Sequence, residues 1–418
     1  MNRIQGSILE TEKQIPIAGE ADVIVIGGGI AGIAAAVAAA RNGMRVILIE
    51  KSVVLGGLAT LGHVCVYLPL DDGVGNKVYG GLAEELLEVC IRYSYDTLPD
   101  CWRGGPERVE HPDGRYLTQF NIPAAVLAFD ELMKNEDVET VFDTVFCEPI
   151  MEGSTCRGVI VENKSGRSAY LGSVFVDASG DADLFFRAGA ECETQKNAAY
   201  HLTHEMDFES MRRGLANGRI TDCFPLRGFD DEDPNAPEYY GTTCEGVNGF
   251  VKRGRAFALE HLKKNQRPDY CMMTLPFMAE FIMTRRIIGA AELILNPGEH
   301  VDSSVGCMIF SLDAPAAVYE FPYGGLINNT LTNVLAAGRI VSATGPAWEI
   351  TRYIPACALT GEAAGTAAAI AAADRCTVQE LDVKKLQSRL AEAGVLLHMT
   401  EKMRTNGGSV HQAGPIPH

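Results

Sequence analysis

The residues with the clearest chemical meaning stand near the start of the chain. Gly27-Gly28-Gly29-Ile30-Ala31-Gly32 spells G-x-G-x-x-G, with glycines at 27, 29 and 32. Gly27 allows a tight turn out of a strand, Gly29 lets a pyrophosphate approach the backbone, and Gly32 allows a helix to lie close on a sheet. The N–H groups of Ile30, Ala31 and Gly32 then stand at a helix N-terminus, where the positive dipole end favours a phosphate. Glu50 closes the next apolar run, at about the distance (roughly 20 residues) where an acid meets the ribose hydroxyls of a dinucleotide. The motif addresses an adenosine diphosphate and does not choose between NAD and FAD.

Such a site needs a strand, a turn, a helix and a second strand. Ala21 to Ile26 is apolar apart from Asp22, as a strand buried on both faces requires. Ile33 to Arg41 reads as a helix of small residues, Asn42-Gly43 as its stop, and Met44 to Ile49 as the second strand.

Beyond Glu50 the chain carries Leu55-Gly56-Gly57-Leu58-Ala59-Thr60, and Val174-Phe175-Val176-Asp177-Ala178-Ser179-Gly180-Asp181 further on. Here it resembles the glutathione-reductase-type flavoproteins, in which a Gly-Gly pair lets the chain cross the ribityl-diphosphate arm. The second stretch resembles the same group's apolar strand followed by A-[ST]-G-D. Val138 to Pro149 resembles the segment that passes the adenine, with Val145 at the backbone contact. Asn333 to Arg339 is a further apolar strand ending in glycine, and Thr360 to Gly365 opens a helix of tiny residues; the resemblance implies that this helix points its N-terminus at the flavin pyrimidine edge.

Taken together, the chain is similar to the bacterial FAD-dependent oxidoreductases, distantly related to fumarate reductase flavoproteins and heterodisulfide reductase A. The resemblance covers most of residues 21–195 and 280–375. It implies an α/β fold: a Rossmann-type FAD-binding domain of three-layer ββα architecture, discontinuous in sequence, with an inserted α+β substrate domain. It also implies non-covalent FAD, held by Gly27, Gly29, Ile30, Ala31, Gly32, Glu50, Lys51, Gly56, Gly57, Leu58, Ala59, Thr60, Val145, Ala178, Ser179, Gly180, Gly338, Arg339, Gly361 and Ala363. Many relatives end the C-terminal strand on Gly-Asp, where this chain has Gly338-Arg339; an arginine cannot accept the ribityl hydrogen bond. The expected divisions are an N-terminal segment 1–20, FAD-binding parts 21–197 and 331–376, a substrate or cap domain 198–330, and a C-terminal helix and tail 377–418. No second G-x-G-x-x-G unit stands for a separate nicotinamide domain.

The catalytic candidates each have a structural rival. Arg285 and Arg286 are neighbours, so on a strand they face opposite ways and at most one meets a ligand; a salt bridge is the alternative. Arg352 precedes the expected flavin-facing helix. Tyr323 stands as a proton donor or a packing tyrosine. His63 follows the Gly-Gly segment, as a covalent flavin link, a base beside the flavin, or a hydrogen-bonded neighbour; no spacing rule supports the link. His201 and His204 form H-x-x-H, but no third ligand is evident and no metal is expected.

Composition narrows the classes. The 418 residues are 47% hydrophobic with 43 glycines, ordinary for a soluble α/β protein. A net charge of -18 repels nucleic acid phosphates. The 12 cysteines include no C-x-x-C pair, so buried free thiols are expected rather than a zinc, iron–sulfur or dithiol site. Met1 to Glu20 lacks the apolar stretch of a secretory signal, and the Ala-rich runs read as too short to span a bilayer. The expectation is a cytoplasmic enzyme without a membrane or nucleic acid partner, its homo-oligomeric state left open. It would transfer a hydride between a small polar organic substrate and flavin N5, with an electron donor or acceptor unspecified. The rivals are an electron-transfer flavoprotein subunit of a larger redox complex and a flavoenzyme catalysing isomerisation or hydration without net redox.

Denaturing the yellow protein should leave its flavin, as FAD, in the supernatant, checked by mass spectrometry of both fractions. Flavin retained in the pellet, and released by His63→Ala, would instead place a covalent link at His63.

Overall fold

A computed structural model describes residues 12, 14–102, 114–231, 235–309 and 315–407. Residues 103–113, the end of the acidic run Asp230 to Pro234, most of the N-terminal segment and the tail from 408 lie outside them.

The sheet is built in chain order from β1 (Ile17–Ile26), helix α1 (Ile30–Arg41), β2 (Val46–Ile49), β3 (Glu139–Val141), β4 (Val145–Glu152), β5 (Thr155–Asn163) and β6 (Gly166–Asp177). In space β3, β2, β1 and β6 lie side by side and parallel, with Val23 opposite Val46 and Val174. These central strands are apolar on both faces because both faces are covered: Val23, Ile24, Val25 and Leu48 have no exposed surface. β6 changes partner along its other edge. Its first half pairs antiparallel with β5, which pairs with β4; its last residues, Phe175 to Asp177, pair parallel with β8 (Val334–Ala336). Lys164-Ser165-Gly166 makes the turn of the β5–β6 hairpin.

The chain leaves this sheet after β6 and returns through a short antiparallel pair, Cys192–Thr194 against Arg285–Ile287. Between them, β7 (Tyr200–Asp207) pairs antiparallel with Leu226–Asp230 on one side and Tyr270–Met272 on the other. The 21-residue helix Cys244–Lys264 belongs to the same segment. Ala199, Phe250 and Phe281 form a small separate core there, whereas Met283, Ile287, Leu293, Val305 and Ile327 join the main one. The expected insert of 198–330 is therefore narrower in its packing, because residues from 283 onward pack on the main core. The N-terminal boundary also moves, since β1 begins at Ile17 and Ile17 pairs with Ala169.

Helix α2 (Ile354–Asp374) corrects the reading that opened it at Thr360. Pro355 occupies its first turn, where a missing N–H costs nothing. Its glycines lie mid-helix and serve close packing on α1: a Cβ on Gly361 would stand 2.2 Å from the Ala31 carbonyl oxygen, and one on Gly365 2.1 Å from that of Ala35. At 21 residues α2 is long and apolar enough to cross a membrane, contrary to the expectation from its Ala-rich run, but 83% of its most apolar window is buried inside the protein.

The cysteine expectation holds in part. All 12 are free, with Cys65, Cys90, Cys156 and Cys307 buried but Cys244 and Cys271 exposed.

Glu362 on α2 accepts a hydrogen bond at 2.8 Å from the Leu82 N–H, at the start of helix Leu82–Ile91. Burial pushes its carboxyl up to about 8. A carboxyl raised in the folded state keeps its proton there while the unfolded chain loses it near 4.3, so its contribution to stability is full at low pH and is lost as pH rises through about 8. Glu362→Gln should therefore leave the thermal midpoint nearly unchanged at pH 5 and raise it relative to wild type at pH 9. Midpoints recorded across that range check this, and a constant offset would contradict it.

Candidate functional site

The turn after β1 depends on backbone space. Gly27 has φ +99°, and a Cβ there would meet the Ala178 carbonyl oxygen at 2.4 Å. A Cβ on Gly32 would lie 1.8 Å from the Gly27 carbonyl oxygen. Gly29 differs: it is extended, and its added Cβ would find only the Gly57 Cα, at 4.0 Å. The tight glycines build the turn, and Gly29 leaves open space in front of it. No side chain caps α1, so its first N–H groups face that space.

The Gly-Gly segment is laid against this turn. Gly56 N–H donates to the Gly28 carbonyl at 2.8 Å, and Gly29 and Gly56 form a parallel bridge. Gly56 and Gly57 both have positive φ. Thr60 holds this bend, donating its hydroxyl to the Leu55 carbonyl at 2.7 Å, and Ala59 is buried beneath it. Glu50 is buried and accepts from the Gly28 and Ser52 N–H groups, both at 2.7 Å. A carboxylate has about four lone-pair sites, so two remain for ribose hydroxyls. Asp143 and Thr144 donate their N–H groups to the Ser52 and Glu50 carbonyls, which sets the start of β4 beside this acid; Val145 itself is 49% exposed. Lys51 is exposed next to it.

The A-S-G-D turn is stapled by Asp177, whose carboxylate accepts from the Ser179 N–H and hydroxyl and from the Leu184 and Phe185 N–H groups. Ser179 is thus a turn-holding residue. Gly338, at φ +80°, lies against Ala31, with Cys357 of the first turn of α2 close by. The start of α1, the Gly-Gly bend and the turn at Gly338 lie together, an arrangement that suits a dinucleotide.

Several expected contacts are corrected. Gly361 and Ala363 are buried mid-helix, seven or more residues inside α2, so its N-terminal turn is at Ile354 to Cys357. Arg339 pairs with Asp181 at 3.2 Å and donates to the Gly180 carbonyl at 2.7 Å, clamping the A-S-G-D turn. Tyr323 is buried and donates to the Val378 carbonyl at 2.7 Å, so it is the packing tyrosine. The two arginines do diverge: Arg286 is fixed between Glu193 and Glu292, the salt-bridge alternative, while Arg285 stacks 3.8 Å over Phe186 and lies 3.6 Å from Asp183.

Beyond the Gly-Gly bend the chain meets β7. His63 sits at φ +61°, buried, its ring 5.8 Å from that of His204. The Phe277 N–H donates to the Leu61 carbonyl and ties the two segments together. His204 Nε2 lies 3.6 Å from Cys65 Sγ. His201 Nδ1 is 3.9 Å from Glu280, which accepts the Leu202 N–H. His63 Nδ1, His201 Nε2, Glu280 Oε1, and the Nε atoms of Arg285 and Arg352 are buried without a hydrogen-bond partner. Burial lowers all three imidazoles; His63, with His204 and His201 as further causes, falls to about 4. Burial raises Glu280 to about 8 and the Cys65 thiol to about 11. At neutral pH the cluster therefore holds neutral imidazoles, a carboxylic acid and a thiol. Arg352 reaches no closer than 3.9 Å to Glu349, and its charge is felt at Tyr200 at the head of β7.

The parallel sheet and the crossed glycine turns at the start of α1 define a Rossmann-type FAD-binding flavoprotein. The chain belongs to the FAD dependent oxidoreductase family, which matches residues 22–286 and 299–390.

Among curated proteins, it is 35% identical over 79 residues to thioredoxin reductase of Ureaplasma parvum serovar 3, covering 19% of this chain and 26% of that protein. The match thus spans about a quarter of the relative's length. Among solved structures, it resembles CabE, an aromatic hydroxylase from angucycline biosynthesis, at 13% identity and TM-score 0.47, covering 89% of this chain and 65% of that one. It resembles L-proline dehydrogenase from P. horikoshii at 14% identity and TM-score 0.43, covering 91% and 100%. Likenesses this distant say nothing about what this chain acts on.

Gly29→Val should fold, because its Cβ has room, yet lose FAD affinity. Overpacking of about 1–3 kcal/mol corresponds to roughly tenfold to hundredfold. Fluorescence titration of the apoprotein with FAD measures this, and unchanged affinity would show that nothing binds in front of Gly29.

Proposed function

We propose that the protein oxidises or reduces a small polar organic substrate by hydride transfer, with His63 as the proton-handling group and Arg352 as the group that orients the substrate. The observation that supports this is the set of buried, unpartnered polar atoms where the Gly-Gly segment meets β7. Buried polar atoms without partners are costly (about 1–3 kcal/mol each), and functional sites are where such cost is retained. FAD, when bound, supplies the hydride donor or acceptor at N5.

The protein's own groups divide the remaining work. Removing a hydride from a carbon that bears a hydroxyl or amine leaves a proton on the heteroatom. A neutral imidazole accepts such a proton, and burial keeps His63 neutral. His204 adjoins His63, and the Glu280 acid lies beside His201, so the proton has neighbouring groups to move to. Arg352 offers a guanidinium with an uncommitted Nε to a carboxylate or other polar group. In this reading the sheet around β7 is the substrate-facing part of the insert.

The test is anaerobic bleaching of the bound flavin with a panel of hydroxy acids, amino acids and polyols, followed by kinetics on the active compound. Arg352→Ala should raise KM roughly tenfold to hundredfold, the scale of a charged hydrogen bond of about 1.5–3 kcal/mol, with FAD stoichiometry intact. Loss of FAD in that variant would assign the arginine to the cofactor.

His63→Ala should lower kcat by about 10²–10⁴. In the native enzyme the acid limb of the kcat/KM profile should fall near pH 4, because the base works only while deprotonated. An acid limb at the ordinary histidine value, or a kcat indifferent to the substitution, would remove His63 from the role.

A further inference from the structure

A second cluster of ligand-type side chains, sharing no residue with the flavin cradle or the histidines around β7, lies where three distant segments meet. His300 comes from a turn, Glu320 from strand Val318–Pro322, and His398 from the stretch before helix Glu401–Gly407. One ligand atom from each lies within 4.8 Å of the others. His300 Nδ1 is 3.2 Å and His398 Nδ1 2.9 Å from the same oxygen, Glu320 Oε2. Tetrahedral zinc with ligands at about 2.0–2.2 Å sets neighbouring ligand atoms roughly 3.3–3.5 Å apart, so little movement is needed.

Two features give this arrangement the character of a prepared site. The Glu320 side chain has no exposed surface, and backbone N–H groups of Val301 and Met399 fix its two oxygens, at 2.8 and 2.9 Å. His300 also presents its other nitrogen, Nε2, to Asp302 at 3.2 Å. A carboxylate behind the far nitrogen is the usual outer partner of a metal-bound histidine. With the proton on Nε2, the Nδ1 lone pair is turned toward Glu320 Oε2 at 3.2 Å, and a cation held by both atoms relieves that meeting.

Arg404 is the competing cation. Its Nη2 contacts Glu320 Oε1 at 2.9 Å and lies 3.4 Å from His300 Nδ1, while Nη1 donates to the Gly298 carbonyl. It bonds Oε1, while both imidazoles contact Oε2, which also accepts from the Val301 N–H.

We propose that His300, Glu320 and His398 form a binding site for a zinc-class divalent cation, with water completing the coordination on the exposed side. Two imidazoles and a carboxylate suit zinc better than calcium or magnesium, which prefer all-oxygen sites. The ion would tie the segment before the C-terminal helix to the 298–302 turn.

The experiment is calorimetric titration of zinc chloride into chelator-treated, FAD-loaded protein, with thermal unfolding in parallel. One saturable site is expected, along with a zinc-dependent rise in unfolding midpoint. His398→Ala removes a half-buried ligand, and should weaken binding at least roughly tenfold, the scale of even an outer-partner loss, and abolish the zinc-dependent rise. Arg404→Gln removes the competitor and should bind zinc at least as tightly as wild type. Absence of a saturable site, binding indifferent to His398→Ala, or weaker binding in Arg404→Gln would each overturn the assignment. Indifference to His398→Ala would place the metal on other ligands, such as the exposed Cys244 and Cys271 or the histidines around β7.

Discussion

The architecture turns on how closely helix α1 and helix α2 approach. Gly361 and Gly365 present bare Cα atoms to the Ala31 and Ala35 carbonyls, and no side chain larger than hydrogen fits at either place. Gly361 meets Ala31 and Gly365 meets Ala35, so the helices run parallel with α2 beginning roughly 9 Å ahead of α1, and Gly338 lies against Ala31 with Cys357 near it. The small residues of both helices are the means of that approach; with larger side chains the helices would separate.

The glycine turns were legible in the sequence because their requirements are local. A turn that must leave a strand, admit a phosphate and start a helix dictates residue types within a few positions. The same holds for the Gly-Gly bend and the A-S-G-D turn. Thr360 to Gly365 reads in sequence as a helix opening, whereas in the fold Gly361 and Gly365 are points of helix contact. Pro355, which belongs in a first turn, was the signal that places the start at Ile354.

Roles set by long-range contact were not legible. Arg286 and Arg339 look available in sequence, but their partners Glu193, Glu292 and Asp181 come from elsewhere in the chain. His204 and His201 suggested only a weak metal motif, because nothing local says that β7 lies against the bend carrying His63. Glu280 and Cys65 carried no signal at all; burial beside imidazoles makes them notable, and burial is a property of the assembled fold. Tyr323 lost its candidate role in the same way, once Val378 proved to accept its hydroxyl.

The short antiparallel pair through which the chain leaves and re-enters the main body has an evolutionary implication. Thr194 stands opposite Arg285 and Cys192 opposite Ile287, so the two ends of the intervening segment are neighbours. Whatever is carried between them closes as a loop on a fixed two-stranded stem, and its size and content are uncoupled from the central sheet. Segments with adjacent ends are the ones that tolerate replacement. Lineages could therefore exchange the polypeptide between these two strands as a cassette while the nucleotide cradle stays as it is, without the scaffold being refolded.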